Sequence, residues 1–171
     1  MEARPSRRVV LAASAATIPL LISACRGVQV LGTPPPPAPD VRQLRAAIGA
    51  ERVLVAGYRA AIPHASADPS ASVALAALLA EHEQHLAQLN RRLIVPAGSA
   101  DSAAPKAAAP ILIPVGLPAA LTALAGAEQA ASARLATQLL DVPASLAQLL
   151  ASISASEATH VPVLDALRRS P

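Results

Sequence analysis

The chain has 171 residues, enough for one domain with appendages, and is 53% hydrophobic but only 1% aromatic, with no Phe and no Trp. A core of Leu, Ile, Val and Ala suits close-packed helices rather than a sheet. The formal charge of +3 comes from 14 basic and 11 acidic residues, and setting aside residues 1–24 leaves 11 and 10; with no basic run and no aromatic platform, nucleic-acid binding has no support.

Residues 1–24 have the layout of an export signal. Met1–Arg8 is short and basic, and Val9–Ser23 is an apolar stretch too short for a comfortable membrane-spanning helix. Ile22, Ser23, Ala24 and Cys25 follow. This segment resembles the bacterial lipobox, which implies diacylglycerol and palmitate on Cys25 and cleavage before it. Ser6-Arg7-Arg8-Val9-Val10-Leu11 resembles a twin-arginine (Tat) signal, implying export of an already folded protein. Paired arginines also occur in ordinary Sec signals, so both routes stay open. An uncleaved membrane anchor with an incidental cysteine is the bland alternative. Either reading puts the protein at the cell membrane, facing outward. Cys25 is the only cysteine, so residues 26–171 hold no internal disulfide and no Cys-based metal site.

Residues 25–39 form a spacer that includes Pro34, Pro35, Pro36, Pro37 and Pro39 and reads as stiff and extended. Residues 40–171 are the expected domain. A first helix is expected from Asp40, as N-cap, to just before Pro63. A second follows Asp68 and Pro69 and runs to about Ile94. A third starts near Leu117 and Pro118 and runs to about Leu140. A fourth follows Asp141 and Pro143 and runs to about Arg168, with basic residues in its last turn. Pro162 lies inside it and should kink it or end it early. Helices one and two, and helices three and four, are joined by a few residues, which predicts two antiparallel hairpins. Between the hairpins lies Val95–Gly116, rich in Pro, Ala, Gly and Ser and long enough to run the length of a bundle.

Each helix places ionisable residues on its apolar stripe at 100° per residue. Glu51 falls among Leu44, Ile48, Val55 and Tyr58. His82 falls at the centre of Leu75, Leu78, Leu79, Leu86 and Leu89, with His85 at the edge and Glu81 toward the polar flank. Glu128 lies among Leu121, Leu124 and Leu135. Glu157 lies among Leu150, Ile153 and Val161, with His160 beside it. All sit near mid-helix, so a side-by-side bundle would bring them to one layer. A lone buried carboxylate costs several kcal/mol, more than a buried Leu contributes. The layer makes sense if its members neutralise one another through a cation or a hydrogen-bond network.

The pattern resembles ferritin-like diiron bundles, which carry a Glu on each of two helices and Glu-x-x-His on the other two. Glu51 matches the first helix, Glu128 the third, and Glu157 with His160 the fourth. Glu51 to His85 spans 34 residues and Glu128 to His160 spans 32. The resemblance covers about Asp40 to Arg168 and is closest to small, alanine-rich ferritin-like lipoproteins of high-GC bacteria. It implies an antiparallel four-helix bundle with a long crossover between helices two and three. It also implies a metal set of Glu51, His82, His85, Glu128, Glu157 and His160. The second helix departs from the pattern: it reads His82-Glu83-Gln84-His85, so His82 replaces a bridging carboxylate. Glu81 could swing in, though the wheel disfavours it. Three carboxylates and three imidazoles suit Fe, Mn or Zn.

Each residue also has a plainer reading. The three glutamates could reach water past thin, Ala-rich packing, and the histidines could be core residues bonded to a neighbouring carboxylate. Tyr58 could bond a site carboxylate or simply pack. His64 follows Pro63 in a turn and reads as solvated. The Arg45, Arg52 and Arg59 stripe reads as a solvated flank or a face for anionic lipid. No phosphate loop and no nucleophile motif is present, so no catalytic residue is assigned. Two functions follow: a metal-binding lipoprotein with oxidase or metal-handling activity, or a bundle that has lost its metal and binds an envelope partner or a second copy of itself.

Overall fold

The computed structural model describes residues 39–95 and 109–170, all within a compact unit spanning Pro36–Pro171. The residues read as an export signal, Cys25 and the run Pro34–Pro37 lie outside the described residues. Among the described residues there are four long helices and no strand: α1 Pro39–Ala61, α2 Pro69–Arg92, α3 Leu117–Gln138 and α4 Ala144–Arg169. No described helix is long and apolar enough to cross a membrane.

Local chemistry sets the helix ends. Pro39, with its fixed φ, opens α1, so Asp40 sits in the first turn rather than at the cap. Asp68 caps α2: its Oδ1 accepts from Ala71 N at 3.0 Å and Ser70 Oγ at 2.7 Å, with Pro69 at the first helical position. The carboxylate is held below its usual pKa by the Ala71 amide and the Ser70 hydroxyl. Gly116 precedes α3 with φ +95°, a conformation that favours glycine. α2 stops at Arg92, short of Ile94, and α3 tightens into a 3-10 turn at Leu139–Asp141. A similar turn, Ile62–Ala65, ends α1. α4 does not stop at Pro162 but runs on to Arg169. Pro162 and Ala158, whose carbonyl the proline leaves without an amide partner, both lie on the exposed face, where water can take the bond.

Two apolar layers fix the directions of the helices. One joins Tyr58 and Ala61 of α1, Leu75 and Leu78 of α2, Leu121 and Leu124 of α3, and Leu164 of α4. The other joins Leu44 and Ile48, Leu89, Leu135, and Leu150 and Ile153. The late part of α1 therefore shares a layer with the early parts of α2 and α3 and the late part of α4. Both hairpins are antiparallel, whereas α2 and α3 run in the same direction. α1 packs on α2 and α3, and α4 packs on α3 and more lightly on α2. The segment between α2 and α3 must therefore return the chain along the whole bundle, about 35 Å for helices of this length. Its described end is extended. Ile111 and Ile113 face inward and Leu112 and Pro114 outward, and Ile111 Cδ1 lies where a Cβ on Gly57 would come within 2.9 Å. Gly57 thus lets the returning chain lie close on α1.

Candidate metal centre

The polar layer lies between these two apolar layers. Glu51 follows Ile48 by one turn, and His82 follows Leu78 by one turn; Glu128 and Glu157 follow Leu124 and Ile153 in the same way. The spacing that buries each leucine or isoleucine also buries the ionisable residue one turn on. Glu51, His82, Glu128, Glu157 and His160 are all 2% exposed or less.

His82 is the hub. Its Nδ1 lies 2.9 Å from Glu51 Oε2 and its Nε2 lies 2.7 Å from Glu128 Oε1. The second histidine of α2 serves the Glu51 side: His85 Nδ1 is 3.3 Å from Glu51 Oε1, with its side chain 12% exposed. His160 Nδ1 is 3.2 Å from Glu128 Oε1, and Tyr58 Oη donates to the same oxygen at 2.5 Å. Glu51, His82 and His85 form one group able to hold a metal ion, and His82, Glu128 and His160 form another, with the ligand atoms in each group within 4.8 Å of one another.

Glu81 does not take the ligand position on α2. It is half exposed, and its Oε2 lies 3.0 Å from His160 Nε2, on the side of that ring away from Glu128. Ser156 Oγ donates to the same Glu81 oxygen at 3.3 Å. Helical-wheel reasoning placed Glu81 on the flank correctly but missed this contact, because the partner comes from α4. Tyr58 is at once a core residue, fully buried, and a hydrogen-bond donor to the site. His64, in the turn after α1, belongs to neither ligand group. Arg59 is exposed and pairs with Glu83 at 2.7 Å, and Arg52 and Arg59 line an open groove with Val55 and Leu86.

The electrostatics follow from this geometry. Burial alone would strip the proton from His82, but the bonds to Glu128 and Glu51 outweigh it and lift the ring to about 9, so it is an imidazolium at neutral pH. Burial pushes Glu128 up, yet bonds from His160 and His82 hold it at about 2. Glu51 is likewise lowered, burial being overcome by bonds from His82 and His85. His160 is raised, its burial overcome by Glu128. Glu157 is different: burial lifts it to about 8, and the charges of Glu51 and Glu128 add to the shift, so it is protonated at neutral pH.

The layer is not saturated. Glu128 Oε2 and Glu157 Oε2 are buried without a hydrogen-bond partner, and Glu51 Oε1 and His85 Nδ1 have only their long 3.3 Å contact with each other. Two partnerless carboxylate oxygens and one long Glu–His contact are costly in one small layer. They suit a cation. Two donors bound to one ion at ~2.0–2.2 Å stand about 2.8–3.6 Å apart in cis-octahedral or tetrahedral geometry, and the Glu–His separations here, 2.7 to 3.3 Å, need only small adjustments to reach it. Imidazole and carboxylate together suit Fe, Mn or Zn. Comparison with known proteins found no matching family model, no matching curated protein and no matching solved structure.

Proposed function

We propose that this chain is a metal-binding, ferritin-like bundle held on the outer face of the cell membrane by lipid on Cys25. The observation that carries the metal reading is the pair of Glu/His groups, with partnerless oxygens on Glu128 and Glu157, in a layer buried by four helices. The parallel run of α2 and α3, with the return segment between them, supports the ferritin-like connectivity. The lipid anchor rests on Ile22–Cys25 and the proline spacer.

Glu51, His82, His85, Glu128 and His160 would hold the metal, with Glu157 beside them. A bound Fe or Mn would supply one-electron chemistry, and Zn a Lewis acid. Tyr58 holds Glu128, and Glu81 holds His160, so both ligands are oriented by a neighbour. The test is elemental analysis of the purified full-length chain, with thermal melts after chelation and after adding Fe(II), Mn(II) or Zn(II). Metal at about 100 times its dissociation constant adds ~2.7 kcal/mol, a rise of roughly 10 °C for a domain of this size. Protein that carries no metal and melts at one temperature throughout would sink the reading.

A second reading has its own observation. The His82 imidazolium sits between two carboxylates and already neutralises charge as a cation would. In that case the bundle is a metal-free module for an envelope partner or a second copy of the chain. Glu128→Ala and Glu157→Ala would then lose the same stability with and without metal, whereas a loss that grows with metal present favours the first reading.

A further inference from the structure

The two ligand groups meet at a single ring. His82 turns Nδ1 to Glu51 and Nε2 to Glu128, at 2.9 and 2.7 Å. The lone pairs on the two nitrogens of an imidazole diverge, so one ion cannot use both. Each carboxylate also has a histidine of its own. His85 Nδ1 lies 3.3 Å from Glu51, and His160 Nδ1 lies 3.2 Å from Glu128. Each side of the ring therefore offers three donors: a carboxylate, a terminal imidazole and one nitrogen of His82. Three protein donors with one position left open is the usual arrangement for a reactive transition metal. Each side also has a buried carboxylate oxygen short of partners: Glu51 Oε1, with only the 3.3 Å contact to His85, and Glu128 Oε2, with none. The halves match in sequence as well. Glu51 and His85 come from the first hairpin and Glu128 and His160 from the second, and three residues before its terminal histidine the first hairpin has His82 where the second has Glu157.

We infer that the layer is built for two transition-metal ions that share the His82 ring, one on each nitrogen. This rests on the metal-binding reading above and goes beyond it in number and linkage. As the ions bind, each His82 nitrogen gives its hydrogen to solvent as a proton and forms a bond to metal. The ring becomes an imidazolate, and no electrons are transferred. The width of the ring then keeps the ions farther apart than the ~3.5–4 Å of carboxylate- or oxygen-bridged pairs. An imidazolate bridge also couples the spins of two paramagnetic ions.

Cu(II) is the probe, because it leads the divalent series in affinity for nitrogen and oxygen donors and each isolated ion gives a full EPR signal. The purified full-length chain, stripped by chelator, is titrated with Cu(II), and bound copper is compared with integrated EPR intensity. Two copper ions per chain are expected, with most of the intensity lost at low temperature. His85→Ala and His160→Ala should each bind one copper with its full signal, and His82→Ala should abolish the coupling. If His82→Ala does not fold, the two outer variants still decide the matter. One copper per chain in the wild type, or two with undiminished intensity, overturns the shared ring while leaving metal binding intact. Failure to bind copper at all overturns both.

Discussion

His82 shows how one residue can serve two opposed states. Without metal its imidazolium is the counter-ion for Glu51 and Glu128. In the proposed metal-bound state its nitrogens would be ligands. The metal-free protein should therefore depend on pH in a definite way. His82 is raised from 6.5 to about 9, so its contribution is complete below pH 6.5 and is lost as pH climbs to 9. Glu157, raised from 4.5 to about 8, contributes fully below 4.5 and less up to 8. Glu128, lowered from 4.5 to about 2, contributes above 4.5 and is lost as pH falls toward 2. Chelated protein should be most stable near pH 4.5 and lose stability as pH falls toward 2 or rises toward 9, as read by denaturant unfolding across the range. A flat profile from pH 5 to 9 would contradict the layer's charge assignment. Glu128→Gln removes a carboxylate that takes three donors and should cost roughly 3–5 kcal/mol at pH 6. Glu157→Gln should act in the opposite sense, stabilising the chelated protein at pH 8 by roughly 1–3 kcal/mol because no buried carboxyl then resists ionisation. The same variant should weaken metal binding if Glu157 stands beside the ions.

At the scale of the helices, α3 and α4 pack on each other through leucines and isoleucine and through a pair of serines. Ser132 Oγ donates to Ser154 O at 2.8 Å, and Ser154 Oγ donates to Ser132 O at 3.0 Å. This reciprocal pair ties two backbones side by side within a turn of Glu128 and Glu157. A double-mutant cycle on Ser132→Ala and Ser154→Ala should give a coupling of about 1 kcal/mol, and additive losses would show that the two bonds act separately. The return segment has its own control point at Gly57. A bulky side chain there meets Ile111 and Leu124. Gly57→Leu should lift Ile111 and Ile113 off α1, cost ~1–3 kcal/mol and speed proteolysis within residues 93–116. Unchanged cleavage would mean that the segment is held elsewhere. Apolar periodicity predicted all four helices, and their ends lie within about two residues of expectation, with 3-10 turns closing α1 and α3. Pro162 lies inside α4 without ending it, as the expected extent to about Arg168 requires. A proline inside a helix reads as a break, yet on the exposed face its missing bond is met by solvent, and α4 continues.

Over the whole molecule, short, long and short connections were enough to anticipate two hairpins and a crossover. The reason is covalent reach: a connection of a few residues forces neighbouring antiparallel helices, and only a long one can bring α2 and α3 into the same direction. The spacing of leucines likewise marked Glu51, His82, Glu128 and Glu157 as buried, since a helix turns every residue by the same angle. What the sequence could not carry is which donors face each other across the bundle. Nothing in the chain order tells that Glu81 reaches His160, that Tyr58 reaches Glu128, or that the two nitrogens of His82 divide between Glu51 and Glu128. Those contacts join residues 31 to 79 positions apart. They depend on the rotation and rise of each helix against its neighbours, which the packing of Leu, Ile and Ala on either side decides. The sequence by itself determined four amphipathic helices with an ionisable layer at mid-height. Only tertiary packing, acting over ångströms that helical periodicity does not resolve, made that layer two half-sites around one histidine.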